Sequence, residues 1–324
     1  MSVRVGIIGV GVHGMHHARL LSDLGSAELS GIYDIDQSAS SRVASEFGAT
    51  AFNSLDELLL NVDCVTVAVP TSSHYDVVMR CLSQEKHVLV EKPIAESLAE
   101  SEKMIEEAEK RGLIFSVGHL ERFNSAYRSV MNTGLSPLFI ESHRLAAFNP
   151  RGTDVAVVLD LMIHDIDIIL DMVKQPIILV NAVGVSVVSD EVDIANARLE
   201  FEGGCVANLT ASRISQKKMR KIRTFQKNSY VSMDFLAGES EVFTMNTDVP
   251  PPVIPNAVPQ MMEGITYEKF SNDGLNALEL ELADFVRAVK DGAKPLISGV
   301  DGHKALEIAS MVMKSMEVSM RRIE

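Results

Sequence analysis

Short apolar runs alternate with amphipathic segments over the first 120 residues of the chain. The runs predict short strands, and the segments between them have the spacing of apolar residues that is typical of helices. The predicted strands are Val3–Ile8, Leu29–Tyr33, Cys64–Val69, His87–Val90 and Ile114–Val117. The helix-like segments are His13–Leu24, Ser38–Phe47, Ser54–Leu60, His74–Ser83 and Ser97–Arg111. This alternation predicts βαβ units and therefore an α/β fold with a parallel sheet.

The pattern changes after about residue 120, where strands follow one another directly. A strongly apolar helix is predicted at Val155–Val173, and Leu275–Lys290 and Gly302–Arg322 are predicted to close the chain as helices. The predicted strands between them are Ile177–Val188, Asp193–Glu202, Val206–Arg213, Tyr230–Phe235 and Glu241–Met245. Consecutive strands without helices predict an antiparallel or mixed sheet. We therefore expect two domains, residues 1–121 and 122–324, with helix 302–322 able to pack back on the first.

Composition narrows the classes of function. The formal net charge of −14 argues against a nucleic-acid or anionic-membrane partner. Asp160, His164, Asp165, Asp167 and Asp171 interrupt the longest apolar run, which excludes it as a membrane span. Three cysteines match no metal or redox spacing, and the N-terminus leads straight into a strand, so a cytoplasmic location is predicted. Five of the eleven prolines fall within Pro250–Pro259, which predicts an irregular loop.

The first strand ends in Gly9-Val-Gly11-Val-His-Gly14, a G-x-G-x-x-G motif that opens a helix. Gly9 allows a tight turn, Gly11 lets the backbone approach a pyrophosphate, and Gly14 permits close helix packing. The helix N-terminus offers N–H groups to the phosphates. Asp34 ends the second strand, where a carboxylate accepts hydrogen bonds from ribose hydroxyls and repels a 2′-phosphate. The motif therefore predicts a dinucleotide site that favours NAD over NADP.

Two further strand ends carry polar residues beside a proline. Pro70 must end its strand, Thr71 and its neighbouring serines can cap the next helix, and His74 is predicted to contact the cofactor. A histidine that only packs in the first helical turn is the alternative. Lys92 precedes Pro93 at another strand end, where parallel sheets face their ligand. It is predicted to lie at the nicotinamide ring, the alternative being a surface lysine.

These motifs together resemble the Gfo/Idh/MocA oxidoreductase family over nearly the whole chain. The resemblance rests on the glycine motif, Ala68-Val-Pro with His74, Glu91-Lys92-Pro93, Asp160-x-x-x-His164 and the closing segment Pro295–Glu307. It implies an N-terminal Rossmann domain, then an α/β domain with a large open, mostly antiparallel sheet. The exposed face of that sheet is often a subunit interface in the family, so a homo-oligomer, dimer or tetramer, is expected.

The helix Val155–Val173 carries a polar stripe. Asp160, His164, Asp167 and Asp171 are spaced by four, three and four residues, so they share one face. The remaining positions are nearly all apolar, so the stripe meets either water or a polar cavity between the domains. The family resemblance implies that Asp160 and His164 are catalytic, whereas Asp167 and Asp171 are assigned to a solvated face.

Alcohol oxidation requires a group that removes the hydroxyl proton, and histidine is suited to this near neutral pH. The resemblance implies the catalytic set Lys92, Asp160 and His164, in which we predict His164 as the base. Lys92 is expected to stabilise the developing alkoxide, although it could share the proton transfer. No metal is required, and His13, His16 and His17 on the first helix are expected to pack rather than bind zinc.

The segment Arg213–Arg223 holds six basic residues among eleven. A solvated hairpin or a subunit contact would explain it, and so would a site for the diphosphate of a nucleotide sugar. With the segments 118–124 and 148–154, it resembles the family branch that oxidises the 3-hydroxyl of UDP-N-acetyl-hexosamines more than the inositol branch. Free cyclitols or sugars, and a non-catalytic NAD-sensing regulatory role, remain as alternatives.

The predicted site residues fall into two further groups, besides the catalytic Lys92, His164 and Asp160. The predicted cofactor-binding residues are Gly9, Gly11, Val12, His13, Gly14, Asp34, Pro70, Thr71, His74, Glu91, Lys92 and Arg122. The predicted substrate-binding residues are Lys92, His119, Arg151, Asp160 and His164.

Overall fold

A computed structural model of the chain describes residues 2–148, 155–246 and 264–320. The chain divides into two compact units, Met1–Leu120 with Asn276–Glu307, and Glu121–Leu275 with Ile308–Glu324. The sequence placed residues 276–307 with the second domain, whereas the structure groups them with the first unit. The proline-rich segment Pro250–Pro259 and Arg151 lie outside the described residues.

The first unit contains a six-stranded sheet in the order β3-β2-β1-β4-β5-β6. Its strands are β1 (Val3–Ile8), β2 (Ala27–Tyr33), β3 (Thr50–Ala51), β4 (Cys64–Val67), β5 (His87–Glu91) and β6 (Phe115–Gly118). Every neighbouring pair is parallel. The strand order reverses between β1 and β4, and such a switch point is where doubly wound sheets bind ligands. The predicted parallel α/β fold is confirmed.

Helices join these strands and return later in the chain. They are α1 (Val12–Asp23), α2 (Gln37–Phe47), α3 (Leu55–Asn61), α4 (His74–Ser83) and α5 (Leu98–Arg111), and α8 (Ala277–Asp291) belongs to the same unit. Local chemistry sets their ends: Ser97 begins α5 with a capping box, and Gly112 ends it in the left-handed region at φ 65°. Phe285 and Val286 of α8 are buried in one core with β1 and α1, which explains why this late helix joins the first unit.

The second unit is built on an eight-stranded sheet in the order β14-β13-β12-β11-β7-β10-β9-β8. Its strands are β7 (Phe139–Leu145), β8 (Ile177–Val185), β9 (Ile194–Phe201), β10 (Val206–Ser212), β11 (Met219–Gln226), β12 (Ser229–Asp234), β13 (Glu239–Met245) and β14 (Ile265–Phe270). Among the described strands of this sheet, only β7 and β10 pair in parallel. The predicted large, mostly antiparallel sheet is therefore confirmed.

Three of these strands were not predicted from the sequence: β7, β11 and β14. In β11 the buried Ile222 and Thr224 alternate with Arg220, Lys221 and Arg223. The basic residues hide the period of two, because Ile222 is the one apolar residue on the buried face of β11 and gives too weak a signal. Arg220, Lys221 and Arg223 lie in β11, whereas residues 213–218 connect β10 to β11, which are not neighbours in the sheet, so the basic segment is not a hairpin.

The helices of the second unit begin with the short α6 (Ser125–Arg128). The predicted helix Val155–Val173 proves to be two segments, a π-helical turn at Val158–Met162 and α7 (Ile163–Val173). The closing helix α9 (Gly299–Met320) has residues in both units. Within the described part of the chain, no helix combines the length and the apolar character that crossing a membrane requires.

Candidate active site

The glycine loop after β1 has a geometry that only glycine allows. Gly9 has φ 86°, and its N–H donates to the carbonyl of Tyr33 at 2.9 Å. A Cβ atom on Gly9 would lie 2.8 Å from the carbonyl oxygen of Ala68, and one on Gly14 would lie 1.9 Å from that of Gly9. Both contacts are too short for any side chain, so these glycines seat α1 against the ends of β1 and β4.

The N-terminus of α1 is open to an anionic ligand. Gly11 is its N-cap, no described side chain caps it, and its first turn carries no acidic residue. Gly11, Val12 and His13 are all exposed. The first N–H groups of a helix lack intrahelical partners and lie at its positive end, so they attract phosphate. This turn fits the pyrophosphate of a dinucleotide, as the sequence predicts.

Asp34 links the end of β2 to the glycine loop. Its Oδ2 accepts the N–H of Val10 at 2.7 Å, and its Oδ1 accepts the N–H of Asp36 at 2.9 Å. The sequence did not predict that Asp34 accepts hydrogen bonds from these two backbone N–H groups. Each carboxylate oxygen has two acceptor positions, so Asp34 retains capacity for ribose hydroxyls. Its predicted contact with the cofactor stays a prediction, now with a fixed orientation.

The loop after β4 differs from the prediction in two respects. Pro70 and Thr71 lead into a 3₁₀ turn, Thr71–Ser73, and no described hydroxyl group caps α4. His74 is 1% exposed, and its Nδ1 and Nε2 lie 2.9 Å and 3.0 Å from the carbonyl oxygens of Pro93 and Val69. Both ring nitrogens therefore face backbone carbonyl groups, and the predicted contact of His74 with the cofactor stays a prediction. Burial, opposed by these carbonyl groups, lowers the pKa of His74.

Lys92 follows directly after β5 and is half-buried. Its neighbour Glu91 is buried, with Oε1 at 3.1 Å from Nε2 of His17 and 3.9 Å from Nδ1 of His13. Burial raises the pKa of Glu91, but the hydrogen bond from His17 and the nearby positive charges outweigh it, so the net shift is downward. Glu91 is thus a buried carboxylate held by α1. His17 packs inside the unit as expected, whereas His16 is exposed.

Asp160 lies in the π-helical turn, and His164 lies in the first turn of α7. Both side chains are half-buried, while Val158, Met162 and Ile163 around them are buried. Single π-turns inside helices occur frequently at functional sites, because the wider turn changes which side chains share a face. Of the two residues predicted as a pair, Asp160 therefore lies inside an irregular turn that the sequence did not reveal, and His164 lies just after it.

Asp167 of the polar stripe is buried, which corrects its prediction, whereas Asp171 stays partly exposed but is engaged by neighbouring side chains. Asp167 is 1% exposed and receives two hydrogen bonds from Arg122, at 2.8 Å and 2.6 Å. Asp171 lies 3.4 Å from the same guanidinium and accepts the hydroxyl of Tyr127 at 2.5 Å. Arg122 is thus engaged by two carboxylates of α7. Its predicted contact with the cofactor stays a prediction.

A second buried arginine holds the same helix. Arg144 of β7 donates to Asp165 at 2.8 Å and to Glu121 at 2.8 Å, and Ser142 donates to Asp165 at 2.5 Å. Arg144, Asp165 and Glu121 are each at most 3% exposed. Burial opposes the charge of Arg144, but the two carboxylates outweigh it and raise the pKa of Arg144 above its ordinary value. Asp165, which the polar stripe did not include, therefore fixes α7 beside His164.

The basic segment is largely neutralised by neighbouring acids. Arg213 contacts Asp193 at 3.5 Å, Arg220 contacts Glu121 at 3.5 Å, Lys221 contacts Asp234 at 3.0 Å and Arg223 contacts Glu141 at 3.5 Å. Lys217 and Lys218 are exposed in the turn before β11. Most of the positive charge that suggested a diphosphate site therefore has a structural role.

Two of the predicted substrate residues can be placed only in part. His119 follows β6 and is 1% exposed. Arg151 lies outside the described residues. Their contacts with substrate stay predictions.

Comparison with known proteins agrees with this arrangement. Residues 3–119 match the oxidoreductase family with an NAD-binding Rossmann fold, and residues 117–227 match the GFO/IDH/MocA C-terminal domain. The chain is 33% identical over 321 residues to UDP-N-acetylglucosamine 3-dehydrogenase of Acidithiobacillus ferrooxidans, covering 99% of each protein. It is 27% identical over 334 residues to myo-inositol 2-dehydrogenase of Thermotoga maritima, covering 97% of the chain and 96% of that protein.

Solved structures give the same result. The structure of the A. ferrooxidans UDP-N-acetylglucosamine 3-dehydrogenase superposes with a TM-score of 0.89 at 32% identity, over 98% of this chain and 99% of that one. A probable dehydrogenase from T. maritima superposes with a TM-score of 0.81 at 26% identity, over 98% and 97%. The resemblance seen in the sequence, the NAD cofactor and the enzyme class are thereby confirmed. The chain belongs to the Gfo/Idh/MocA family of NAD-binding oxidoreductases.

Proposed function

We propose that the chain oxidises a secondary hydroxyl of a nucleotide sugar, the 3-hydroxyl of a UDP-N-acetyl-hexosamine, to a ketone. The observation that carries the proposal is the 33% identity to UDP-N-acetylglucosamine 3-dehydrogenase, which extends over 99% of both chains. Lys92, Asp160 and His164, the residues that the family resemblance implies for alcohol oxidation, are all present. The candidate from another substrate class is a free cyclitol, supported by the 27% identity to myo-inositol 2-dehydrogenase.

The residues of the first unit fit NAD. The open N-terminus of α1 would hold the pyrophosphate, and Asp34 would hold the adenosine ribose and disfavour a 2′-phosphate. When bound, NAD supplies the acceptor for the hydride that leaves the substrate carbon. Pro70, Thr71 and Lys92 follow β4 and β5, the strands on one side of the switch point.

The protein's own residues manage the proton and the developing charge. We assign His164 as the base that takes the hydroxyl proton, because an imidazole titrates near neutral pH. Lys92 stabilises the oxygen as it becomes an alkoxide, since a fixed ammonium there is preorganised for that charge. Asp160, in the π-helical turn before His164, orients the imidazole or holds a sugar hydroxyl.

The exposed lysines of the basic segment remain candidates for the diphosphate. Among the described residues, the other four basic members of the segment contact acidic side chains, whereas Lys217 and Lys218 have no acidic partner and are exposed. We expect Lys217→Ala with Lys218→Ala to raise KM for the nucleotide sugar about tenfold with little change in kcat. Lys227→Ala, at another turn of the same sheet, is the matched control. An unchanged KM would remove these lysines from the substrate site.

A substrate panel tests the function. The purified chain with NAD is assayed against UDP-N-acetylglucosamine, its uronate, myo-inositol and glucose by the absorbance of NADH, with a 2-oxo acid added in parallel to recycle retained cofactor. We expect turnover of a nucleotide sugar at least about a hundredfold above that of the free polyols, because a charged diphosphate adds binding energy. Turnover of the polyols alone would refute the proposal.

We further propose that copies of the chain associate through the open face of the eight-stranded sheet. Ile140, Ser142 and Arg144 of β7 are buried on the side where Asp165 of α7 is bound, so Phe139 points to the opposite face. Five aromatic side chains align there in register across five strands: Phe139, Phe225, Tyr230, Phe243 and Tyr267. Neighbouring ring centroids lie 4.9–5.8 Å apart. An aromatic row of this kind favours a protein partner, here a second copy.

Light scattering tests this association. Phe225 is 37% exposed, so Phe225→Lys places a charge on the row without removing core packing. We expect the wild-type chain to have the mass of a dimer or tetramer and the variant to dissociate. A wild-type mass equal to one chain at micromolar concentration would overturn the association.

We also propose a cytoplasmic location. Cys64, Cys81 and Cys205 are free and buried, which is typical of proteins that fold in a reducing compartment. Burial raises the pKa of the Cys81 thiol to about 12, so it stays protonated and unreactive. Fractionation of cells that express the tagged chain tests the location.

A further inference from the structure

Two buried histidines contact the residues on either side of Lys92. His17 of α1 contacts Glu91, the residue before Lys92, and His74 of α4 contacts Pro93, the residue after it. Both histidines are 1% exposed. They come from different helices of the first unit, so the turn that carries Lys92 is fixed from two directions.

The contact on the Glu91 side is a charge-assisted hydrogen bond. A carboxylate only accepts, so His17 donates from Nε2 across 3.1 Å to Oε1 of Glu91. Nδ1 of His17 is buried and has no hydrogen-bond partner among the described residues. Nε2 of His17 therefore carries a proton in this contact, and the bond fixes the carboxylate of Glu91 directly before Lys92 in the chain.

The contact on the Pro93 side ties two strand ends together. The ring of His74 lies between the carbonyl oxygens of Val69, after β4, and Pro93, after β5. Both oxygens are acceptors, so a neutral ring donates its one N–H group to one of them and packs against the other. Loss of the ring would leave a buried carbonyl group without its donor, and the turn would move to find water or another donor.

We propose that His17 and His74 are positioning residues for Lys92, acting through Glu91 and Pro93 respectively. This inference rests on the proposed role of Lys92 at the substrate oxygen. The two contacts set where the ammonium stands and which charge lies beside it. Displacement of a catalytic group by about 1 Å can lower a rate about a hundredfold, so such support is needed for the chemistry.

Paired substitutions separate this role from simple packing. His17→Phe and His74→Phe keep a ring of similar size but remove the donor, whereas His17→Gln and His74→Gln restore an N–H group. His16→Phe is the matched control, because His16 precedes His17 on α1 and is exposed. The measurements are kcat and KM for the substrate that the panel identifies, the Kd for NADH by fluorescence, and the melting temperature.

We expect each Phe variant to lower kcat about 10–100-fold, with Kd for NADH changed less than about threefold, and each Gln variant to recover most of kcat. The control should match the wild type. In a Lys92→Met background the Phe substitutions should lower the residual kcat no further, because they act through Lys92. Folded Phe variants with wild-type kcat, or equal losses with and without Lys92, would overturn the proposal.

The outcome distinguishes this inference from the proposed function. If Lys92→Met retains full activity, the role assigned to Lys92 fails, and the positioning role fails with it. If Lys92→Met is inactive while the Phe variants turn over normally, Lys92 keeps its role and the positioning role alone fails. Should a Phe variant not fold, the corresponding Leu variant, which also lacks the N–H donor, takes its place in the comparison with the Gln variant.

Discussion

Lys92 is the residue on which the proposed alcohol oxidation depends most. It stands half-buried after β5 beside the buried carboxylate of Glu91. Lys92→Met keeps the length of the side chain and removes the charge. We expect kcat to fall about 10²–10³-fold, the usual effect of removing one donor to a developing oxyanion, with the Kd for NADH nearly unchanged. Stopped-flow formation of NADH measures this, and a variant with kcat near that of the wild type would exclude Lys92 from the reaction.

His164 is expected to control the pH dependence on the acidic side. A histidine base must be neutral, so kcat/KM should fall as pH decreases through the pKa of the base. We expect His164→Gln to lose about 10²–10⁴-fold in kcat and to abolish that acidic limb. The profile from pH 5 to 9 is the measurement, with His143→Gln on β7 as control. An acidic limb that survives in His164→Gln would assign the base to another group.

Glu91, beside Lys92 in the candidate active site, also contributes to the pH dependence of the free energy of unfolding. Its pKa in the folded chain is lowered, so the folded state favours the ionised form. The resulting stabilisation is complete above the unfolded pKa, about 4.3, and is lost as pH falls through the folded pKa. We expect the advantage of the wild type over Glu91→Gln in urea unfolding to be constant near pH 6–7 and to shrink below about pH 4.5. An advantage that grew on acidification would contradict the direction of this shift.

At the scale of elements, α7 is held by two buried arginines. Arg122 binds Asp167 with both partners nearly inaccessible, at 6% and 1% side-chain exposure. Removing one partner of such a pair costs about 3–5 kcal/mol when the other charge is left uncompensated. Asp171 still lies 3.4 Å from Arg122, so we expect Asp167→Asn to lower the free energy of unfolding by the lower end of that range, about 3 kcal/mol, in urea titrations.

An exposed pair of the same geometry serves as control for α7. Arg80 and Asp56 also form two hydrogen bonds, but their side chains are 53% and 52% exposed. Solvent screens such pairs, so Asp56→Asn should change stability little. Equal losses in Asp56→Asn and Asp167→Asn would show that burial does not set the strength of the α7 anchor.

The limits of the sequence are clearest in this element. Regular spacing predicted the helix and put Asp160, His164, Asp167 and Asp171 on one face, but the π-helical turn at Val158–Met162 breaks that spacing. Asp167 also looked solvated, because its partner Arg122 lies 45 residues earlier in the chain. Periodicity contains no information on such distant partners, and so a buried ion pair and a wet face have the same pattern.

The first unit was more predictable, since its determinants are local. Most of its strands are short, largely apolar runs between turn residues, and Gly9, Asp34 and Lys92 follow strand ends directly. The buried His17–Glu91 contact was missed because it spans 74 residues. A glutamate between an apolar strand and a lysine was the only local signal, since a carboxylate there needs a partner.

At the scale of the whole molecule, the similarity to UDP-N-acetylglucosamine 3-dehydrogenase supports a nucleotide-sugar substrate more strongly than the basic segment does. Most of that segment pairs with acids of its own unit, so it no longer argues for a diphosphate by itself. The substrate proposal therefore depends on the similarity over 99% of the chain and on the presence of Lys92, Asp160 and His164, which we propose as catalytic. The position of oxidation on the sugar is the most specific statement of this proposal, and it can be measured directly.

The decisive measurement is the position of oxidation in UDP-N-acetylglucosamine. The chain is incubated with this sugar and NAD, the product is reduced with borodeuteride, and the deuterium is located by NMR. Borodeuteride adds deuterium to the carbonyl carbon and so marks the carbon that was oxidised. The Lys92→Met variant serves as the blank. We predict deuterium at C3 of the hexosamine. Deuterium at another carbon, or none while myo-inositol is turned over, would contradict the account.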